Sequence, residues 1–257
     1  MAWLLSTLSG LLAGLLSGVF GIGGGVVLVP MLGLVLGLGQ HDAQGMTLAI
    51  LLLPVGLAAV VEYHRAGYVR WRLVLPLVAG FLLGVWLGSV AATAVPERPL
   101  RLVFVAFLVV LAVRNWRAAG ARGGAVAAAE PPAARAAAAH ALWIGAVGGA
   151  ASGLLGIGGA VLMIPLLVAV LGLKQHEAQG TSLAVMLPPV GLPGVLVYAA
   201  ARGGLPWLVV ACVAGGFLLG GAFGARAARR VKGPALIRGF SVFQLAVAAG
   251  LLVRALS

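Results

Sequence analysis

Two short polar clusters hold most of the side chains that could do chemistry outside the basic loops of this apolar chain. Histidine beside an acid could hold or pass a proton, while glutamine and hydroxyl groups could donate hydrogen bonds to an oxyanion. Ionisable residues at membrane depth usually serve transport or proton relay. The alternative is a solvated turn whose acid and hydroxyl groups only stabilise the next helix. The clusters contain His41, Asp42, Gln44 and Thr47, and His176, Glu177, Gln179 and Ser182.

The clusters recur because the chain is an internal duplication. Residues 40–57 and 175–192 are identical at twelve of eighteen positions, including polar positions that no apolar pattern requires. A glycine-rich turn precedes each cluster in the chain. A proline, Pro30 or Pro165, lies between the turn and the cluster. The duplication predicts a polar site assembled from two related halves. The turns contain Ser17, Gly21, Gly23, Gly24 and Gly25, and Ser152, Gly156, Gly158, Gly159 and Ala160.

The glycine turns are candidate anion-binding elements. Glycine lets peptide N–H groups approach a ligand closely, and the N-terminus of the following helix carries about half a positive charge. Two turns that face each other near the membrane midplane would bind an anion without a buried cation. The alternative is that these glycines, with Ser17 and Ser152, only permit tight helix packing. A dinucleotide-binding turn is excluded, because that motif requires a preceding strand and a βαβ unit.

The composition requires a membrane. Hydrophobic residues make up 62% of the chain, charged residues 9%, and the mean hydropathy is +1.15. Most apolar stretches match the ~20 residues that a helix needs to cross ~30 Å of hydrocarbon. Residues 2–39 and 141–173 are too long for one crossing, so each stretch is predicted to break at its glycine turn. In the first stretch the break would give helices near 3–19 and 26–38. Pro54, Pro188, Pro189 and Pro193 are expected to bend the second helix of each half.

The basic residues predict how the halves are oriented. We divide the chain into a transmembrane repeat at 1–117, an Ala-rich linker at 118–138 and a second repeat at 139–257. If each half crosses the membrane an odd net number of times, thirteen of the 17 Lys and Arg residues lie on one face and four on the other. That bias is expected of a cytoplasmic face. The predicted fold is therefore an all-α, polytopic bundle of two inverted-topology repeats with broken or re-entrant helices. The four basic residues on the face opposite the cytoplasmic one would be Arg98, Arg101, Arg202 and Arg254.

The motifs resemble one known family. The paired S-G-x-x-G-I-G-G-[GA], a following proline and then D-A-Q-G-M-T or E-A-Q-G-T-S resemble the TauE/SafE sulfite-exporter family of bacterial membrane proteins. The resemblance covers nearly the whole chain except the linker. It implies secondary transport of sulfite or an organosulfonate, a small anionic substrate, across the bacterial inner membrane. Ala160 departs from the first copy, which has Gly25, so the site is expected to be asymmetric.

Alternating access by rocking one inverted half against the other is the predicted mechanism. No nucleotide-binding domain is recognisable, so an ion or proton gradient would drive it. The alternatives are cation or metal transport through the His-Asp and His-Glu pairs, and a membrane accessory protein without transport. An enzyme is not expected, since G-x-S-x-G and H-E-x-x-H are lacking. We expect no cofactor, no metal site and no nucleic-acid partner; a homodimer and proton coupling stay open, with His41, Asp42, His176 and Glu177 as coupling or gating residues.

Overall fold

The computed structural model describes residues 2–20, 24–53, 57–120, 134–228 and 233–256. These residues form twelve helices and, within the described ranges, no strand. The helices are α1 Ala2–Phe20, α2 Gly25–Val35, α3 Gln40–Ile50, α4 Leu57–Arg65, α5 Trp71–Ala94, α6 Glu97–Gly120, α7 Ala134–Leu155, α8 Ala160–Leu171, α9 Gln175–Val185, α10 Leu192–Arg202, α11 Trp207–Ala228 and α12 Gly233–Leu256.

Each half repeats one order of helices: a long helix, three short ones and two long ones. In the described part of the chain, six helices are long and apolar enough to cross a membrane: α1, α5, α6, α7, α11 and α12. The predicted breaks at the glycine turns are present, since α1 ends at Phe20 and α7 at Leu155. After α7 the backbone enters the left-handed region at Gly156 (φ +72°) and Gly158 (φ +75°), which an L side chain adopts at a cost. The helix therefore stops there.

The proline-containing segments differ from the prediction. We expected one bent helix in each half, but the structure has two separate short helices, α3 and α4 or α9 and α10. Between α9 and α10 stand Pro188 and Pro189, which lack the N–H that an α-helix needs and restrict the residue before them. Pro193 instead lies in the first turn of α10, where that missing N–H costs nothing. Pro54 lies outside the described residues.

The linker boundaries fall inside helices. The structure continues α6 through residues 118–120 and begins α7 at Ala134, within the segment assigned to the linker. Residues 121–133 lie outside the described residues. The ends of these two helices thus include part of the Ala-rich segment, as the high helix propensity of alanine favours.

Small residues hold the long helices together across the two halves. α1 packs on α11, and α5 packs on α7. At these crossings a methyl group at Gly84 would overlap the carbonyl oxygen of Ala146, and one at Gly216 would overlap that of Thr7. Gly10 lies beside Val213 and Gly14 beside Phe217, so α1 and α11 run parallel. Glycine at these positions thus permits the close backbone contacts between the long helices.

The last helix of each half packs on its counterpart. Near one end of this pair, Arg101 of α6 donates a hydrogen bond to the carbonyl of Arg254 of α12, at 2.9 Å. Near the other end, the guanidinium of Arg238 lies over the ring of Trp116, 5.9 Å from its centroid. The start of α6 is thus beside the end of α12. The two helices run antiparallel.

Candidate functional site

A cavity of about 290 Å³ lies where the two halves meet. The first half contributes α4 and α6, and the second contributes α8 and α9. Typical ligand pockets measure ~300–1,000 Å³, so this one suits a small solute. None of the described residues that line it is acidic. We call it the α8–α9 cavity; its walls are Tyr63, Leu111, Arg114, Asn115, Ala160, Val161, Ile164, Pro165, Gln179, Ser182 and Leu183.

The polar groups of the α8–α9 cavity suit an anion. Ser182 is fully buried, and its hydroxyl has no hydrogen-bond partner in the described part of the chain. The Tyr63 hydroxyl donates to Gln179 Oε1 at 3.1 Å, which leaves the Gln179 amide hydrogens for another acceptor. Val161 lies in the first turn of α8, where peptide N–H groups lack intrahelical acceptors, whereas the Ala160 N–H donates to the Gly158 carbonyl at 2.5 Å. Ser182, Gln179 and Val161 all line this cavity, and the exposed Arg114 lines it as well.

The duplicated sequence contains a second, buried set of the same residues. The Tyr198 hydroxyl lies 2.9 Å from Gln44 Oε1 and 2.7 Å from the Gly153 carbonyl oxygen, and donates toward both. The Gln44 amide in turn donates to the Leu154 carbonyl at 3.0 Å. Every polar atom of Gln44 is therefore engaged. We call this set the buried counterpart; it comprises Gly25, Val26, Val29, Pro30, Gln44, Thr47, Leu48 and Tyr198, all of them buried.

The predicted glycine-turn glycines that the structure describes pack against neighbouring residues, and none of them lines the α8–α9 cavity. Gly21 and Gly23 lie outside the described residues. Gly24 is buried against the Phe217 ring, and a methyl group at Gly25 would overlap the backbone of Ile157. The two glycine motifs therefore touch each other. Gly156 packs on Gln44, Gly158 faces Leu51 and Gly159 faces Phe81.

The predicted hydroxyl residues have different surroundings. Ser152 and Thr47 are buried with side-chain oxygens that lack a partner in the described residues, as Ser182 does. Ser17 is partly exposed at the end of α1. Among these four hydroxyl residues, Ser182 alone is one of the described residues that line the α8–α9 cavity.

Asp42 and His41 belong to a charged cluster at one end of the bundle. Arg202 forms two hydrogen bonds of 2.8 Å with Asp42 across the two halves. These bonds raise the pKa of Arg202, which stays cationic. His41 is buried, with Nε2 at 3.0 Å from the Ala92 carbonyl oxygen and Nδ1 at 3.6 Å from Glu97. Arg254 donates from this end to the carbonyls of Gly33 and Gly37 at the end of α2.

Glu177 and His176 lie in a second cluster. Arg70 of the first half pairs with Glu177 of the second at 2.5 Å. The Glu177 carboxylate also accepts the backbone N–H of Lys174 at 3.1 Å, which caps α9. His176 is exposed, and its ring lies 5.4 Å from that of Tyr68. Asp42 and Glu177, equivalent in sequence, thus each pair with an arginine of the opposite half.

Several residues of the site were not predicted from the sequence. Tyr63 and Tyr198 stand 135 residues apart, the period of the duplication, and that recurrence is the signal that could have identified them. Asn115 donates to Gln244 at 3.3 Å, and both are isolated amides in apolar helices. The arginines that pair with Asp42 and Glu177 come from the other half, so no local spacing could identify them.

A duplicated bundle with six apolar long helices and a polar cavity lined from both halves has the architecture of a multi-pass membrane transporter. The family model described as "Sulfite exporter TauE/SafE" matches residues 6–251, and the chain belongs to this family. The chain is thus a multi-pass membrane protein of this family.

Two curated relatives agree with this assignment. A "Probable membrane transporter protein" of Xylella fastidiosa is 30% identical over 112 residues, which cover 41% of this chain and 42% of the relative. A protein of the same description from Haemophilus influenzae is 30% identical over 118 residues, covering 43% and 44%. The matched segment thus spans less than half of each relative. No solved structure matches the chain.

Proposed function

We propose that this protein is a secondary-active transporter that moves a small sulfur-containing oxyanion, sulfite or an organosulfonate, across the bacterial inner membrane. The observation that carries the proposal is the α8–α9 cavity, where the Ser182 hydroxyl and the Gln179 amide hydrogens have no protein acceptor among the described residues. An oxyanion accepts several hydrogen bonds at once, and a charged acceptor makes each of them stronger. The Ser182 hydroxyl, the Gln179 amide and the first turn of α8 would supply them. The family description names sulfite, which agrees with this chemistry.

The proposed mechanism is alternating access between halves of inverted topology, and two contacts support that topology. α6 and α12 hold the same place in the two halves, yet they run antiparallel. Repeats with the same orientation would place them parallel. The inversion also agrees with the charge distribution, because Arg101, Arg202 and Arg254 gather around Glu97 and the end of α2. Those are three of the four basic residues assigned to the outer face.

Cation transport is disfavoured by the pairing of the acids. Asp42 is bridged by Arg202, and Glu177 by Arg70. A metal ion at either place would first have to displace a guanidinium group. We therefore propose that these two acids, with His41 and His176, act in gating rather than as ligands. Each ion pair joins one half to the other, so rocking of the halves would strain it.

Uptake into proteoliposomes tests the proposed substrate. A panel of sulfite, a short organosulfonate and a divalent cation is measured with and without a pH gradient. Ser182→Ala should raise the KM for the anion roughly 10- to 150-fold, since one hydrogen bond to a charged group contributes ~1.5–3 kcal/mol. Ser241→Ala is the matched control, because Ser241 is equally buried but its hydroxyl bonds to Ile237 of its own helix. Flux of the cation without flux of either anion would refute the proposal.

A further inference from the structure

The two equivalent sites have opposite degrees of burial. On the α8–α9 side, Tyr63, Val161 and Gln179 are partly exposed, and a cavity separates α6 from α8. On the other side, Tyr198, Val26 and Gln44 are buried. There α12 lies directly on α2, with Leu251 beside Gly33 and Gly250 beside Leu34. Two copies of one site thus stand in different states within a single structure.

Specific side-chain contacts close the buried counterpart. Tyr198 of the second half reaches Gln44 of the first, as Tyr63 of the first half reaches Gln179 of the second. The Tyr198 hydroxyl also donates toward the Gly153 carbonyl, at 2.7 Å, ahead of the glycine turn, whereas the Tyr63 hydroxyl has no second acceptor among the described residues. Arg254 of α12 adds further hydrogen bonds, because its guanidinium donates to the carbonyls of Gly33 and Gly37 at the end of α2. The place equivalent to Arg254 at the end of α6 is occupied by Ala118 and Ala119.

From these contacts we propose that Tyr198, Gln44 and Arg254 form a closed gate over a second, symmetry-related access path. Opening this gate would expose the buried counterpart on the face opposite to the α8–α9 cavity. The inference rests on the proposed function, because only a transporter needs both paths. The Tyr198 hydroxyl has one hydrogen for two acceptor oxygens, so one contact of the gate is always incompletely satisfied. A gate held in this way can open without a large free-energy cost.

Thiol labelling of matched positions tests the gate. Cys212, the only cysteine, is replaced by serine, and Val26→Cys or Val161→Cys is then introduced. These valines are identical and equivalent, yet Val26 is 1% exposed and Val161 lines the cavity. A membrane-impermeant cationic methanethiosulfonate is added to vesicles of each orientation. We expect Val161→Cys to react from the face of Arg114, and Val26→Cys to react slowly from both faces.

Gate variants provide the decisive comparison. Tyr198→Phe or Arg254→Gln should raise the reaction rate of Val26→Cys from the face opposite Arg114 by roughly tenfold. Tyr63→Phe, the equivalent change in the other half, should leave that rate unchanged. Using both gate variants guards against one that fails to fold. Equal rates at the two cysteines in the parent protein, or no effect of either gate variant, would overturn the gate.

Labelling requires no transported ion, so the two proposals fail separately. A protein that shows the expected labelling but moves neither sulfite nor an organosulfonate retains the gate and refutes the proposed substrate. A protein that moves one of these anions while Val26→Cys stays unreactive in both gate variants refutes the gate alone.

Discussion

The ion pair between Asp42 and Arg202 should stabilise the two halves in the observed arrangement. Its two parallel hydrogen bonds of 2.8 Å have the bidentate geometry that makes arginine-carboxylate pairs strong. The side chains keep 28% and 40% of their exposure, so water screens part of the attraction. Exposed pairs contribute up to ~1 kcal/mol, and the favourable geometry places this one near that limit, about 1 kcal/mol.

A double-mutant cycle isolates this contribution. Asp42→Asn also removes an acid from the first turn of α3, where it interacts favourably with the helix dipole. Arg202→Gln also removes the weaker 3.9 Å approach to Glu97. These separate effects cancel in the cycle, which leaves the pair's coupling energy. A loss of about 1 kcal/mol corresponds to a fall in Tm of ~2–4 °C for a domain of this size.

The assay is the apparent Tm of detergent-solubilised protein, measured at one scan rate for the parent, both single variants and the double variant. High salt should reduce the coupling, because the Debye length falls to ~3 Å at 1 M. Arg98→Gln is the control, since Arg98 is an exposed arginine of the same face with no ion pair to the described acids. If the two single effects simply add in the double variant, the ion pair does not hold the halves together.

Two further changes test the packing. Gly216→Leu should abolish folded protein, because the leucine side chain would overlap Thr7 and Leu11. Gly215→Leu is the control and should be tolerated, because no atom lies within 4 Å of a methyl group at that position. Size-exclusion chromatography of fluorescent fusions compares the yield of folded protein for the two variants. Ala160→Gly should lower the labelling of Val161→Cys, since the cavity could then close as tightly as its counterpart does at Gly25; an unchanged rate in a folded variant contradicts this reasoning.

The sequence was sufficient to predict the elements whose signals are local. Glycine turns and apolar length predicted where α1 and α7 end, and the duplication predicted that α1–α6 and α7–α12 repeat one order. Pro188 and Pro189 were recognised as perturbing residues, but bending and breaking a helix follow from the same missing N–H. Which of them occurs depends on packing, because α10 turns back to place Tyr198 against α3.

The partners of the candidate site residues could not be predicted in the same way. The short helices α3, α4, α9 and α10 all make polar contacts with the other half. Tyr63, for example, bonds to Gln179, and Asp42 to Arg202. A single sequence contains no signal that pairs residues over a hundred positions apart. The recurrence of a tyrosine marked where a partner must be, but not which residue it meets.

Small differences between the copies account for the asymmetry of an otherwise duplicated site. Gly25 lets α2 pack directly on the backbone of Ile157, and a single methyl group there would prevent that contact. In the second half the equivalent residue is Ala160, whose methyl group lies on the wall of the cavity. Arg254 donates hydrogen bonds that hold α12 against α2 on the closed side, whereas Ala118 and Ala119 stand at the equivalent place on the open side. Identical halves would give two conformations of equal free energy. Under the proposed gating scheme, the substitutions that break the identity would favour one path at rest, while the Tyr-Gln pairs shared by both halves would keep the free-energy cost of opening the other path small.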